Sequence, residues 1–348
     1  IQGPWLMEQM KEQAAQTRWT SVKKYDMGVF EGILAGAVAI GGAAAAKLGK
    51  YVGANIFISD YDDEYETVEK IREFDYESGV HSRKILDSDL VIISPGIPDT
   101  IPIVIDCKCE NIPIISEIEF ASWFTTSPIL ALTGSNGKTT TINLLHDMCI
   151  SDGKNSFLGG NMGIPFSENV LWELESGIKD AIHVLEISSF QLEHIQSFSP
   201  VIAGLLNISE DHMDRYDNIH DYMNAKIRIT KCMTSSGCVV YNGDDPMLLK
   251  ALDQQKGAKL FSMNDDREHH FKLNASKIYS GSSNDPDILF KFDESSLKGI
   301  HNIQNILAAS TMAHIFGISH NAIKDAIINF TPIPHRLEWI GNINNVDY

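Results

Sequence analysis

The chain has 348 residues, 43% hydrophobic and 21% charged, with 46 acidic against 28 basic side chains and a formal net charge of −18. This length exceeds one small core and predicts two domains with part of a third. The acidic balance excludes an electrostatic footprint for nucleic acid or an anionic membrane surface, so an anionic ligand would need a local positive site.

Residues 1–22, with the polar opening IQGPWLMEQMKEQAAQTRW, read as a tag remnant or loose extension. From residue 23 short β-rich runs alternate with helical patterns, the signature of an α/β fold with a parallel sheet, and 23–124 is assigned to a Rossmann-like domain. The apolar run ILAGAVAIGGAAAA (33–46) falls short of the roughly 20 residues that span a bilayer, and it starts too far from the amino terminus for a signal peptide. The G-x-G-x-x-G frame places Ala37 and Ala39 where glycines belong, followed by Gly42, so a nicotinamide cofactor is not expected. A Gly/Ala packing helix and a ligand-binding turn both stay open for this segment. GANIFISD (53–60) predicts a strand ending in Asp60, and SDLVIISPGIP (88–98) a strand closed by the turn Ser94, Pro95, Gly96, Ile97. Both put polar groups at a carboxyl edge, where open α/β sheets bind ligands. The five cysteines are odd in number and scattered, which predicts reduced thiols in a cytosolic protein. Cys107-x-Cys109 has no second pair to complete a metal site.

FASWFTTSP (120–128) breaks the pattern, and a second α/β domain, 125–332, begins at ILALTG. Its further strands are expected at AIHVLEISS, VIAGLLNIS and GCVVYN, followed by hairpins over the polar stretch 253–296 and a helix from His301 to about Phe316. Residues 333–348 would open a further domain.

LALTGSNGKTTT (130–141) carries the clearest chemistry. Gly134 and Gly137 allow a tight turn around Ser135 and Asn136 with amides pointing inward. Lys138 adds a cation, and Thr139, followed by Thr140, offers a hydroxyl to Mg²⁺ at a helix start. Leu132 stands where a full P-loop has its first glycine, so this is a shorter G-x-x-G-K-T-T variant. The central domain is therefore expected to be a P-loop-type ATPase with a mostly parallel sheet. Such a loop needs an acid on a neighbouring strand, because Mg²⁺ takes oxygen ligands. Glu186, at the end of HVLE, is favoured for the metal over a helix-capping role. The strand VIAGLLNIS leads to Asp211, His212, Asp214 and Arg215, where an Asp-His pair could bind a second Mg²⁺ or act as a base, as a polar surface turn could also explain.

TGSNGKTTT, LEISSFQLE, NISEDHMDRY, NAKIRI, GIHNIQN and IPHRLE, in this order, resemble the Mur ligases of peptidoglycan synthesis. SPGIP and SSFQLE point to the member that adds D-glutamate to UDP-N-acetylmuramoyl-L-alanine, and the resemblance covers roughly residues 50 to 348. It implies an ATP- and Mg²⁺-dependent, monomeric, cytoplasmic ligase with no nucleic-acid or membrane partner, forming an amide through an acyl phosphate. By the same resemblance, Lys138 contacts the β- and γ-phosphates. Thr139 and Glu186 hold Mg²⁺, and His212 serves a second metal or orients the amine. Lys226 becomes a carbamylated metal ligand; without the resemblance it would read as a solvated helix lysine. Gly134 to Thr140, Asn302, Asn305 and Arg336 are implied to bind ATP. Asp60, Ser94 to Ile97, Asn161, Ser188, Gln191 and Arg215 are implied to bind the UDP substrate. A sibling Mur ligase, a folylpolyglutamate synthetase and a non-catalytic nucleotide-binding module are the alternatives. The sequence stops at Tyr348, where the family enters its third domain with most of the D-glutamate site, so the chain as given is expected to lack that site and to be inactive alone.

Overall fold

The computed structural model describes residues 30–331 apart from 37–39, 256, 265–270, 275–276, 281–286 and 292–293, together with 342–343 and 346–347. The expected extension 1–22 lies outside these residues, as do Arg336 and most of 333–348.

The first unit runs β1 (Phe30–Gly36), α1 (Ile40–Tyr51), β2 (Ala54–Asp60), α2 (Tyr65–Ile71), β3 (Asp75–Ser78), β4 (Leu90–Ile93), α3 (Pro102–Cys109), β5 (Ile114–Ser116) and α4 (Glu117–Ser122). Its five strands form a parallel sheet in the order β3-β2-β1-β4-β5. Parallel strands are covered on both faces and read as unbroken apolar runs, which is why every residue of LVII in β4 is buried. The Gly/Ala run divides between β1 and α1. Ala45, Ala46 and Leu48 of α1 are fully buried, so the packing-helix expectation holds for Ile40 onward, while residues 37–39 lie outside the described ones.

The second unit runs β6 (Ile129–Thr133), α5 (Lys138–Ser151), β7 (Asn155–Gly160), α6 (Phe166–Ser176), β8 (Ala181–Glu186), α7 (Ser189–Glu193), β9 (Ile202–Leu205), α8 (Ile219–Ile227), β10 (Cys238–Asn242), α9 (Pro246–Leu252) and β11 (Lys259–Phe261). Six parallel strands lie in the order β11-β10-β9-β6-β8-β7. The strand order therefore reverses at β6, so the loop after β6 opens between the carboxyl ends of β8 and β9. That switch point is where open α/β sheets bind ligands. Beyond it, β12 (Phe271–Asn274), β13 (Lys277–Ser280) and β14 (Asp287–Lys291) form an antiparallel sheet, and α10 (Ile300–Phe316) and α11 (His320–Asn329) return to the core. The hairpin expectation for 253–296 holds for β12–β14, but β11 belongs to the parallel sheet.

One hydrophobic cluster packs α5, α10 and α11 on one face of the second sheet. The other face shares a cluster with the first unit. Leu90, Ile92, Ile115 and Phe120 join Ala131, Phe166, Val170, Leu185 and Leu205 in it. Among the described residues, no helix is long and apolar enough to cross a membrane.

Candidate active site

The loop after β6 is built to keep side chains out of its turn. Gly137 caps the 14-residue α5 at φ 82°, a left-handed conformation that favours glycine, and no side chain caps that helix. A Cβ on Gly137 would stand 2.3 Å from Asn305 Oδ1, so α10 closes directly over the turn. The opening amides of a helix have no intrahelical acceptor and carry the positive end of its dipole, so an uncapped start suits an anion.

The segment after β9 laces the loop in place. Ser135 N donates to Asn207 O at 3.0 Å, Asn136 N to Asn207 Oδ1 at 2.8 Å, and Asn136 Nδ2 to Ser209 Oγ at 3.1 Å. Ser209 N in turn donates to Ser135 Oγ at 3.0 Å. Lys138 folds back over the turn, with Nζ 2.9 Å from the carbonyl oxygens of both Gly134 and Ser135. Thr140, one residue past Thr139, is half-buried in the first turn of α5.

Two strands meet at Glu186. Its carboxylate, 2% exposed, accepts from Thr139 Oγ1 at 2.8 Å and Asn161 Nδ2 at 3.1 Å. Asn161 N also donates to Glu186 O at 2.7 Å. A Cβ on Gly160, which adopts φ 105°, would lie 2.2 Å from that carbonyl oxygen. The glycine at the end of β7 is thus what lets Asn161 approach. The helix-capping alternative for Glu186 is overturned by the local geometry, since the cap of α7 is Ser188. Ser188 and Gln191 form a reciprocal capping box, with Gln191 Oε1 accepting from Ser188 N at 3.0 Å and Ser188 Oγ at 3.1 Å. These two residues, expected at the substrate, spend their described hydrogen bonds on the helix start.

Lys226, the residue that reads as a solvated helix lysine, is 2% exposed. Its Nζ donates to Gly134 O at 2.9 Å and sits 4.4 Å from the centre of the Tyr222 ring. Burial, with the Lys138 cation adding to it and Asp211 and Glu186 opposing, pushes its pKa down to about 7. His212 lies one aromatic ring away. Its ring centre is 6.2 Å from that of Tyr222 and 4.8 Å from that of Phe190, its Nε2 is 3.5 Å from Asp211 Oδ2, and its backbone holds φ 55°. A non-glycine residue in that region is strained, and such strain gathers at functional sites.

Asn302 and Asn305, both buried on α10, bond each other through Asn305 Nδ2 and Asn302 Oδ1 at 3.1 Å and so reach the loop through Gly137. Arg215 does not point into the P-loop crevice. Its guanidinium donates to Pro95 O at 3.2 Å and Ile97 O at 3.4 Å, which brings the turn Ser94–Ile97 beside the loop after β9. Asp60 ends β2 on the same carboxyl edge, and burial raises its pKa. Sequence reasoning missed Asn207, Ser209, Phe190 and Tyr222. The i,i+4 spacing of Tyr222 and Lys226 on one helix was the available signal for the last of these.

A family model described as the Mur ligase middle domain matches residues 132–313, and one described as the MurD N-terminal domain matches 45–101. The chain belongs to the Mur ligases. The UDP-N-acetylmuramoylalanine–D-glutamate ligase of Christiangramia forsetii is 37% identical over 315 residues, covering 88% of this chain and 69% of that protein. The protein of the same name from Bacteroides fragilis is 36% identical over 322 residues, again covering 88% and 69%. Among solved structures, the UDP-N-acetylmuramate:L-alanyl-gamma-D-glutamyl-meso-diaminopimelate ligase from Neisseria meningitides matches with a TM-score of 0.61 at 18% identity, covering 88% of this chain and 98% of that one, and so shares the fold. The Mur ligase geometry fits a hard cation at one place. Thr139 Oγ1 and Glu186 Oε2 are buried oxygen donors 2.8 Å apart beside the uncapped helix start. Among the described residues no three His, Cys, Asp or Glu side chains converge, so phosphate oxygens and water would complete the shell. Lys226 fits that shell only after its amine has been converted to an anion.

Proposed function

We propose that this Mur ligase adds D-glutamate to UDP-N-acetylmuramoyl-L-alanine with ATP, as a cytoplasmic monomer, in the making of peptidoglycan precursors. The support is the identity to relatives of that name over most of the chain. The observation that carries the chemistry is the P-loop held between Glu186 and the Asn207–His212 segment, with the turn Ser94–Ile97 tied alongside by Arg215.

ATP phosphorylates the alanyl carboxylate, and the amine of D-glutamate then attacks the acyl phosphate, releasing phosphate. Both steps crowd anions together, so catalysis lies in positioning and charge neutralisation. Lys138, now folded over Gly134 and Ser135, swings onto the β- and γ-phosphates while the amides of Gly137 to Thr140 cradle them. Mg²⁺, held by Thr139 and Glu186 and by Lys226 once carbamylated, would supply further charge for the transferred phosphoryl group. Asn302 and Asn305 face the adenine, and Arg336 is assigned to phosphate. Asp60 and the turn Ser94–Ile97 take the uridine diphosphate, while Asn161, fixed by Glu186, meets the muramoyl-alanyl end. His212 orients the incoming amine.

Thermal unfolding in the presence of successive precursors tests the substrate, because a ligand stabilises the state that binds it. UDP-N-acetylmuramoyl-L-alanine should raise the melting temperature more than UDP-N-acetylmuramate or the alanyl-glutamyl precursor does. A larger shift with either of the others would reassign the chain to a sibling reaction.

A further inference from the structure

Arg215 links the loop after β9 to the turn after β4. Its guanidinium reaches across from the loop after β9 to the first sheet, donating to the carbonyl oxygens of Pro95 and Ile97. Glu193 Oε2 accepts from it at 2.9 Å, and the Phe190 ring lies beneath it at 4.6 Å. Its backbone meanwhile belongs to the strained turn at His212, with Arg215 N 3.0 Å and Tyr216 N 3.3 Å from His212 O. Phe190 supports both partners at once, carrying the guanidinium and touching the His212 ring.

From there the contacts continue without a gap to the P-loop. Tyr216 stacks on Phe190 at 14° and its hydroxyl donates a hydrogen bond to Glu193 Oε1 at 2.6 Å, so one carboxylate fixes both Arg215 and Tyr216. Tyr216 packs on Tyr222, and Tyr222 carries the Lys226 ammonium and accepts from Ser135 Oγ at 3.4 Å. His194 Nε2, just past the end of α7, also lies 3.0 Å from Asp99 Oδ1 beyond the turn, without a hydrogen bond between them. A planar guanidinium with a fixed fork of donors holds two carbonyls and a carboxylate together in a way that a lysine ammonium cannot.

We infer that Arg215 is a positioning residue that places His212 by reference to the turn Ser94–Ile97, so that filling the first-sheet crevice and filling the P-loop crevice are coupled through it. Coupling between two sites is reciprocal and is read as a ratio of affinities. The inference rests on the proposed binding of the UDP group at that turn.

The test is titration of a non-hydrolysable ATP analogue with Mg²⁺, with and without saturating UDP-N-acetylmuramoyl-L-alanine. In the parent protein the precursor should tighten nucleotide binding by about fivefold or more. In Arg215→Lys the ratio should fall to about one, and in Glu193→Gln, which keeps the guanidinium but loosens it, to an intermediate value. General damage to the fold would weaken both ligands and leave the ratio at the parent value. A parent ratio of one, or an Arg215→Lys ratio equal to the parent's, overturns the inference. Should Arg215→Lys fail to fold, an unchanged ratio in Glu193→Gln overturns it. Failure of the parent to bind the UDP precursor at all would overturn the proposed function and this inference together, and it would be seen before any variant is made.

Discussion

Lys138 and Lys226 donate to the same atom, the carbonyl oxygen of Gly134, each at 2.9 Å. One oxygen cannot comfortably serve two ammonium groups in a buried place. Lys138 is only half-buried and keeps its charge in contact with solvent, whereas Lys226 is enclosed, so the cost falls on Lys226. This arrangement makes the protein without nucleotide less stable than its core allows, and it prepares Lys226 for chemistry.

The first consequence is a pH-dependent strain on the fold. Burial holds Lys226 at about 7 in the folded state, well below the usual lysine range it regains on unfolding. Between those values the unfolded chain binds more protons, so this residue's contribution to stability rises with pH from about 7 toward 10. Lys226→Met should therefore stabilise the ligand-free protein most at pH 6 to 7 in carbonate-free buffer, by on the order of a few kcal/mol, and lose that advantage by pH 10. Urea melts of parent and variant across this range check it. A constant difference at all pH values would show that the buried charge is not its source.

The second consequence concerns carbon dioxide. Near neutral pH a large share of Lys226 is free amine, the form that adds to CO₂. The resulting carbamate is an anion that an adjacent Mg²⁺ would stabilise, where an ammonium would repel it. ¹³C-labelled bicarbonate should give a carbamate resonance in the presence of Mg²⁺ that is missing from Lys226→Met. The same signal in both proteins would place the carbamate elsewhere.

Glu117 titrates in the opposite direction. It is buried at the start of α4 and accepts from Ser167 N at 2.5 Å. Burial raises its pKa to about 7 against the pull of that hydrogen bond. Because the folded-state value lies above the unfolded one, the stability it contributes is full below about pH 4.5 and is lost as pH rises through about 7. Glu117→Gln should leave stability near the parent's at pH 5 and raise it above pH 8, by roughly 3 kcal/mol at most. Melting temperatures that move in parallel at both pH values would count against a neutral Glu117 in the folded protein.

Gly137 and Asn305 should show non-additive effects. A methyl group on Gly137 meets Asn305 Oδ1 at 2.3 Å and must also adopt the left-handed backbone. Gly137→Ala is expected to cost about 1–3 kcal/mol, and Asn305→Ala to restore part of that loss by opening the space. A double-mutant cycle by chemical denaturation measures the coupling, and strict additivity would show that the two residues do not contact in solution.

How much of this was legible in the sequence depended on how local each signal was. The P-loop was visible because its turn residues, cation and hydroxyl lie within a few positions of one another, and Glu186 because an acid closing an apolar strand needs a partner. β7 was missed because NSFLGG opens with polar residues and ends in glycines, leaving little strand pattern, although those glycines are what bring Asn161 to Glu186. Ser188 and Gln191 carry a plain S-x-x-Q capping signature, and the structure forms that capping box. The destination of the Arg215 side chain was beyond reach, since its partners Pro95 and Ile97 lie more than a hundred residues upstream, and nothing in the local pattern separates a ligand-binding arginine from one that binds backbone.

The hydrophobic cluster running from Leu90, Ile92 and Ile115 of the first sheet into Ala131, Leu185 and Leu205 of the second governs how the molecule comes apart. Phe166 and Val170 of α6 sit inside that cluster, so swinging one sheet away from the other about residues 120–128 would expose apolar surface that neither sheet can cover by itself. Parts that share a core lose it together. The two sheets should therefore melt as a single cooperative unit, giving one calorimetric transition where separate cores would give two, and the substitution Phe166→Ala should lower that one transition without splitting it.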